Sequence, residues 1–238
     1  MSDQTEAEFL ATYDPTAYPP TGITVDLVLL TIIDGNLSVL LVKRAGHPYK
    51  GKWAIPGGFV EHDEGLDDAA LRELQEETGT ELFSGHIEQL GAYGKPSRDP
   101  RFRIVSIAYV AFFPEPGNPI AGSDAAEARY WPVDMIDRDM LAFDHGTIID
   151  DAIERARAKL EYTTHATAFL PYEFTIGQLR RVYETVWGVD IEPANFRRKV
   201  LSTFRLEEAG GSLGLGRLYA LPALTENLYP PFYRETTQ

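Results

Sequence analysis

The chain has no cysteine, which excludes a disulfide framework, a thiolate zinc site and a cysteine nucleophile. It has no apolar run approaching the ~20 residues that a membrane helix needs. Its opening residues, MSDQTEAEFL, hold neither a basic n-region nor an apolar h-region, so no secretory signal is expected and a cytoplasmic protein is. Positive charge is scarce: 22 Lys and Arg stand against 36 Asp and Glu, a formal charge of −14. As a sum, that deficit argues against a nucleic-acid partner, because phosphate contacts need basic side chains. What is present is enough apolar residue, 44%, to exclude a disordered chain. The 238 residues fit one large domain or two small ones.

The charge is unevenly spread. From Thr175 onward eight basic residues meet seven acidic ones, a balance of +1, which leaves −15 for the first 174 residues. Such asymmetry suggests that the two parts do different work. The pattern of elements divides at the same place. Thr24–Ile33 and Leu37–Arg44 are β-branched and leucine-rich runs joined by Asp34-Gly35-Asn36, which predicts a hairpin. Ala54–Val60 contains a Pro-Gly-Gly break, Asp67–Thr78 is a charged amphipathic helix, and Arg103–Phe113 and Ala128–Val133 are further strands. In 147–160, Ile148, Ile149, Ala152, Ile153, Ala156 and Leu160 recur at helical spacing. Mixed strands with few helices predict an α+β or α/β/α sandwich over residues 1–162.

Residues 163–174 lack periodicity and contain Pro171, so they are expected to be a linker. Residues 175–238 form a second unit. Thr175 can cap a helix in which Ile176, Leu179, Val182, Tyr183 and Val186 share a face and Gly188 is the stop. Glu192-Pro193 opens a second helix to about Phe204. A hairpin around GGSLGLG follows. Helix, turn, helix and hairpin make the outline of a winged helix-turn-helix.

The most informative stretch is Gly58–Thr80. On a helix of about 100° per residue, Glu73, Glu76 and Glu77 lie within a single arc of about 100°, beside an apolar face of Ala70, Leu71 and Leu74. Three like charges so close repel unless a cation neutralises them. Hard oxygen ligands suit Mg²⁺ or Mn²⁺, which points to metal-assisted attack of water on a diphosphate. The plainer reading is a solvated acidic face with i,i+4 pairing to nearby bases.

The stretch resembles the Nudix box, with each charged and glycine position of that motif filled, from Gly58 through Glu64, Arg72, Glu73, Glu76 and Glu77 to Gly79. Only the last position, usually aliphatic, departs: it is Thr80. The resemblance implies an α/β class fold, the Nudix α/β/α sandwich, and cleavage of nucleoside diphosphates linked to another group. It implies that Glu73, Glu76 and Glu77, with the Gly57 carbonyl, bind Mg²⁺ or Mn²⁺, that Glu76, Arg72 and Glu73 carry the catalytic chemistry, and that Arg72 holds the glutamates in place. Arg44, Lys52, Gly58, Arg98, Arg101 and Arg103 are the candidates to meet the substrate. Glu127 is a further candidate ligand or base. Each isolated base has solvated surface charge as its plainer reading. Asp144-His145 could be a polar pair near the site, with a hydrogen-bonded corner histidine the simpler reading.

In the second helix of the C-terminal unit Phe196, Val200, Leu201 and Phe204 define a buried face. Asn195, Arg198, Lys199 and Ser202 define an exposed one that carries no acid. Such a face fits the major groove, where Arg and Asn make bidentate contacts to base edges. Arg197 points to the core side, and the hairpin tip with Arg217 would be the wing. A docking or dimerisation module is the competing interpretation. The segments TYDPTAYPPTGITVDLVLLT, GKWAIPGGFVE, SRDPRFRIVSIAYVAF, LAFDHGTIIDDAIERARAKLEYT and PANFRRKVL together resemble the Nudix-related transcriptional regulators of NAD metabolism. This resemblance covers about Thr12 to Leu221. It implies a homodimeric repressor in which the Nudix domain senses ADP-ribose or a related NAD-derived nucleotide and a C-terminal winged helix-turn-helix binds double-stranded operator DNA. Many members of that family have a degraded box, whereas here the box is whole. That leaves three further readings open: an ADP-ribose diphosphatase without regulatory DNA binding, an inactive nucleotide sensor, and an enzyme clearing oxidised triphosphates.

Overall fold

The computed structural model of the chain describes residues 5–80, 85–114, 117, 119–122, 125–214 and 216–221. The expected C-terminal unit therefore lies outside the described residues beyond Leu221, as does Leu215 in the hairpin tip.

A seven-stranded mixed sheet is built around β1 (Gly22–Ile33). β2 (Asn36–Arg44) pairs antiparallel with β1 through a turn in which Asp34 and Gly35 both have positive φ, 50° and 79°. Glycine removes the Cβ penalty from the second of these, so the tight hairpin follows from the sequence. β3 (Trp53–Ala54) pairs with β2, and β4 (Gly57–Phe59) pairs with β1. The helix α2 (Leu66–Thr78) follows. β5 (His86–Tyr93) pairs with β6 (Ile104–Phe112), which runs parallel to β1, and β7 (Ala125–Pro132) pairs with β2.

β1 is apolar almost throughout because both of its faces are covered. Val25, Leu27 and Leu29 pack with Ala69, Ala70 and Leu74 of α2 on one side. Val28 and Leu30 pack on the other side with Ile148, Ile149 and Ala152 of α3 (His145–Tyr162). The result is the α/β/α sandwich that the pattern implied.

The C-terminal unit begins with β8 (Glu173–Thr175). α4 (Ile176–Trp187) opens with a capping box between Thr175 and Gln178 and closes on Gly188 at φ 71°. α5 (Pro193–Thr203) follows, and then the hairpin β9 (Glu207–Leu213) and β10 (Gly216–Ala220), with β10 paired to β8. This is a helix-turn-helix with a wing.

The segment 163–174 is not the solvated linker that its lack of periodicity suggests. Thr163 to Phe169 are all buried, with a 3₁₀ turn over His165–Phe169. The Phe169 ring stacks on Phe112 at 5.1 Å and the His165 ring on His86 at 3.8 Å, so the connector is packed against the sheet. A short 3₁₀ turn of small residues buried all round leaves no amphipathic signature.

One apolar core runs from the sheet through α3 and the connector into α4 and α5. Two hydrogen bonds tie α3 to α4: the Trp187 indole donates to the Arg157 carbonyl at 3.0 Å, and Arg157 Nε donates to the Val186 carbonyl at 3.1 Å. Among the described residues no helix is long and apolar enough to cross a membrane.

Candidate functional site

A cleft of about 720 Å³ opens over β4 and the second half of α2, from which Arg72, Glu73 and Glu77 line it. Its acidic wall is the motif helix. Arg72 is the hub there. Its guanidinium forks onto Glu64 (Nε to Oε2 2.9 Å, Nη2 to Oε1 2.6 Å). It also donates to Glu73 at 2.9 Å, to Glu76 at 3.1 Å and to the Phe59 carbonyl at 3.1 Å. The pairing with Arg72 draws the Glu64 carboxyl down to about 2, and the same partners raise Arg72 above its usual range. Glu77 is in a different setting. It is held by a hydrogen bond from the Gly57 amide at 3.0 Å, and burial pushes its carboxyl up to about 8. Burial also raises Glu73.

Gly58 shows why the motif carries glycine at that position. A Cβ there would lie 2.2 Å from Glu73 Oε1. The clash is with the end of a flexible side chain, so Gly58→Ala should fold but evict Glu73 from its place. We expect a melting temperature close to that of the parent and at least a ~100-fold loss of any turnover, since ~1 Å of misplacement costs that much.

The opposite wall is basic and aromatic. Arg44 and Arg101 line it, and Arg44 is lowered by burial and then by the neighbouring Arg101 charge. Arg101 lies over the Phe59 ring at 5.2 Å and pairs with Asp99, which raises it. Arg44 lies over the Phe143 ring at 5.0 Å. Phe59 and Phe102 stack at the rim with their planes 2° apart.

Of the residues singled out in the sequence, Arg44, Gly57, Gly58, Arg72, Glu73, Glu77, Arg98 and Arg101 line the cleft. Four do not. Lys52 gives its ammonium to the Asp139 carbonyl, and Arg103 gives its guanidinium to the Gly94 carbonyl at 2.5 Å. Glu127 faces Lys43 and Arg129 across β7. Glu76 stays exposed and reaches Arg72 from outside the lining. Arg98 is at the cleft, but not as a free base: it is buried and held by Asp144 and Asp26. His145 is the structural corner that its plainer reading describes. Its Nδ1 accepts from the Ile55 amide at 3.0 Å, and burial lowers its pKa.

Sequence reasoning passed over Asp26, Asp99, Phe59 and Phe143. A signal existed for Asp26, a lone carboxylate inside the apolar run TVDLVLLT.

The donor set fits a hard divalent cation. Glu64, Glu73, Glu76 and Glu77 outnumber the single Arg72, and burial, with the neighbouring Glu73 and Asp26 charges, opposes ionisation of Glu77, which a bound cation would favour. As arranged, three of these groups, Glu64, Glu73 and Glu76, are engaged by Arg72, and among the described residues no three carboxylates or imidazoles converge at ligand spacing. Cation binding would require Glu76 to turn from Arg72 toward Glu73 and Glu77.

The second candidate surface is α5. Phe196 and Val200 are buried while Asn195, Arg198 and Ser202 are exposed. Leu201, expected on the buried face, is exposed at the edge of the packed stripe, and Lys199, expected on the open face, is half-buried. Arg198 donates to the Asn195 side chain at 2.7 Å, and Ser202 donates to the Lys199 carbonyl at 2.8 Å. Arg197 reaches back to the Tyr219 hydroxyl at 3.5 Å. Arg217 sits on the wing, paired with Glu208 at 2.9 Å. Glu192 caps α5 by accepting from the amides of Ala194 and Asn195.

A mixed sandwich with this motif helix, followed by a winged helix, defines a Nudix protein with an appended DNA-binding module. The NUDIX domain model matches residues 23–152, and the NrtR DNA-binding winged helix domain model matches residues 166–214. The chain belongs to the Nudix family, in the group that carries the NrtR winged helix. It is 34% identical over 214 residues to the ADPR responsive transcriptional repressor NtrR of Acinetobacter baylyi, covering 89% of this chain and 85% of that protein. It is 42% identical over 120 residues to the ADP-ribose pyrophosphatase of Methanocaldococcus jannaschii, covering 50% of this chain and 68% of that protein. NrtR of Shewanella oneidensis, solved with a 27mer DNA, superposes with a TM-score of 0.71 at 35% identity, over 84% of this chain and 93% of that one. Its NUDIX domain, solved with ADP ribose, superposes with a TM-score of 0.59 at 41% identity, over 64% of this chain and 99% of that one.

Proposed function

We propose that this protein is a homodimeric transcriptional repressor that binds operator DNA through α5 and the wing and releases it when ADP-ribose occupies the cleft. The observation that carries the reading is the exposed face of α5. Exposed Asn195, Arg198 and Ser202, with half-buried Lys199 beside them, present amide, guanidinium, hydroxyl and ammonium groups without an acid, on a helix anchored by buried Phe196 and Val200. Two such helices one turn of DNA apart, about 34–36 Å, would read a two-fold operator. The cleft supplies the complementary half of the proposal. Arg44 and Arg101 suit diphosphate oxygens, and the Phe59 ring in the lining suits a base or sugar face. A repressor of NAD or sugar metabolism genes of this kind works in the cytoplasm. The kinship with a repressor named for its response to ADPR supports the same reading.

A gel-shift titration of operator DNA with ADP-ribose and Mg²⁺, with products followed over time, tests it. The shift should fade as ADP-ribose rises; an unaltered shift would sink the sensing reading. Arg198→Ala should weaken specific binding by about 10–100-fold, as loss of one bidentate base contact does, and leave ADP-ribose binding unchanged.

A second activity is favoured by the intact motif. In this reading Glu73, Glu76 and Glu77, with the Gly57 carbonyl, hold Mg²⁺ or Mn²⁺, and ADP-ribose is hydrolysed to AMP and ribose 5-phosphate. A bound divalent ion would neutralise charge on the diphosphate and make water a better nucleophile. Arg72 orients Glu73 and Glu76, and the Gly57 amide orients Glu77. Appearance of both products, lost in Glu76→Gln, is the expected result; their absence would leave a sensor that binds without cutting.

A further inference from the structure

The floor of the cleft holds a buried ionic cluster that the proposed chemistry does not use. Arg98, 6% exposed, donates to both oxygens of Asp144, Nη2 to Oδ1 at 2.8 Å and Nε to Oδ2 at 3.1 Å, and reaches Asp26 at 3.4 Å. Ser106 donates to the same Asp26 oxygen, and His145 Nε2 lies 3.8 Å from the other. Arg98, Asp26 and His145 all line the cleft.

Asp144 is also the N-cap residue of α3, yet its side chain makes no capping hydrogen bond. Aspartate is among the best N-cap residues because its carboxylate accepts from the first free amides of the helix. Here that carboxylate is turned to Arg98 instead. The residue before it, Phe143, has φ +51°, an uncommon conformation for a non-glycine residue and one that stores strain at this joint. In the first turn the His145 amide is held by the Ala142 carbonyl at 3.2 Å and the Thr147 amide by the Asp144 carbonyl at 2.9 Å. The Asp144 carboxylate therefore has two competing partners, the guanidinium below the cleft and the Gly146 amide.

α3 is the element that both modules share. Its 18 residues span roughly 27 Å, from Arg98 at one end to the Arg157 and Trp187 hydrogen bonds with α4 toward the other. α4 in turn grips α5 through the Tyr183 ring, T-shaped on Phe196 at 5.2 Å. Each step is a packed or hydrogen-bonded contact.

We propose that Arg98 and Asp144 are the positioning pair through which the cleft reports an anionic ligand to α5. This rests on the sensing reading above. Oxygens of the bound diphosphate compete with Asp144 for the Arg98 guanidinium. The freed carboxylate swings to cap α3, which resets its first turn against the strained Phe143 joint. The shift passes along α3 to α4 and moves the reading helix from its operator register. A ligand shifts such a two-state element only by binding one state more tightly, and Arg98 supplies the difference, because it is open to the ligand in one state and engaged in the other.

The test compares the full-length protein with Asp144→Asn. Asparagine keeps the shape and capping ability but loses the charge that holds Arg98. The variant should bind operator about tenfold more weakly without ligand, bind ADP-ribose as well as or better than the parent, and lose most of the ligand effect on DNA, as reciprocal coupling requires. A variant that responds to ADP-ribose by the same factor as the parent overturns the proposal. Amide exchange in the parent protein gives a check that needs no substitution. Exchange at Gly146 should slow about fivefold when ADP-ribose binds, as expected of a new cap, and unchanged exchange there in a ligand-saturated sample overturns the proposal. If the parent binds both ligands but its operator affinity ignores ADP-ribose, the sensing reading itself falls, a result distinct from a responsive parent with an equally responsive variant.

Discussion

In metal-free buffer the parent protein should lose stability between pH 6.5 and pH 8, and Glu77→Gln should not. Burial holds the Glu77 carboxyl near pH 8 against an ordinary value of 4.5. A folded-state pKa raised above the unfolded one favours folding fully below pH 4.5, and that advantage is lost as pH rises through 8. The slope cannot exceed 1.36 kcal/mol per pH unit for one group, so the whole window amounts to a few kcal/mol. Glutamine keeps the hydrogen bond from the Gly57 amide and carries no charge, which removes the slope. Glu73 is raised by burial in the same direction in both proteins, so the readout is the difference in slope between them. The groups shifted the other way do not imitate it there. Glu64, drawn down to about 2 by Arg72, has its window below 4.5. His145, lowered by burial, delivers its stabilisation fully only above its unfolded value of 6.5, where the comparison begins. Urea midpoints at several pH values, with EDTA and then with Mg²⁺, are the measurement. Mg²⁺ should restore the parent at pH 8 and leave Glu77→Gln unmoved, since a hard cation needs the ionised carboxylate. Parallel midpoints for both proteins across the window would refute the account of a carboxylate awaiting its counter-charge. The same substitution should cut any hydrolysis at least ~100-fold.

The second large effect lies in the reading module. Phe196 is 4% exposed and anchors α5 against Tyr183. Truncating a buried phenylalanine costs about 3–5 kcal/mol, comparable to what a small module has to spare. Phe196→Ala should abolish operator binding, while ADP-ribose still titrates the cleft with the parent affinity. Leu201→Ala, on a residue 47% exposed in the same helix, should change stability by no more than about 0.5 kcal/mol. Urea melts read at the Trp187 indole would separate the two. Retained DNA binding in Phe196→Ala would mean that α5 is not the reader.

The parts of the molecule that could be read in advance are those whose meaning is local. The shared face of Glu73, Glu76 and Glu77 on α2 follows from helical spacing, and so do the buried Phe196 and Val200 of α5 and Phe204 at its C-cap. Leu201, which the wheel places inside, and Arg197, which it turns to the core side, are exposed because a helix packed along one narrow stripe leaves its flanks open, and Lys199 is half-buried. β5 was missed because HIEQLGAY mixes charges with glycine at the sheet's edge, where a bulge between Gln89 and Gly91 breaks the alternation. The basic wall of the cleft needs residues from β2, the 98–101 loop and the start of α3 brought together, and no spacing rule reports that. Arg98 and Arg101 are three positions apart and equally arginine, and both line the cleft; only the fold makes one a buried strut and the other an exposed base. Charge counting by segment did locate the reader, but it could not reveal that both modules share one core.

The cap on α5 bears on how choosy the reader can be. A helix N-terminus is a ready seat for a backbone phosphate of any sequence, and in this chain Glu192 already fills it. A protein with so much negative charge and that seat taken gains little from generic DNA. If α5 reads the operator as proposed, residence on the chromosome must come from base edges met by Asn195 and Arg198, which would make the protein a poor scanner and a discriminating occupant. An engineer seeking a tighter but more permissive binder would begin by exchanging Glu192 for serine, which retains the cap and reopens the seat.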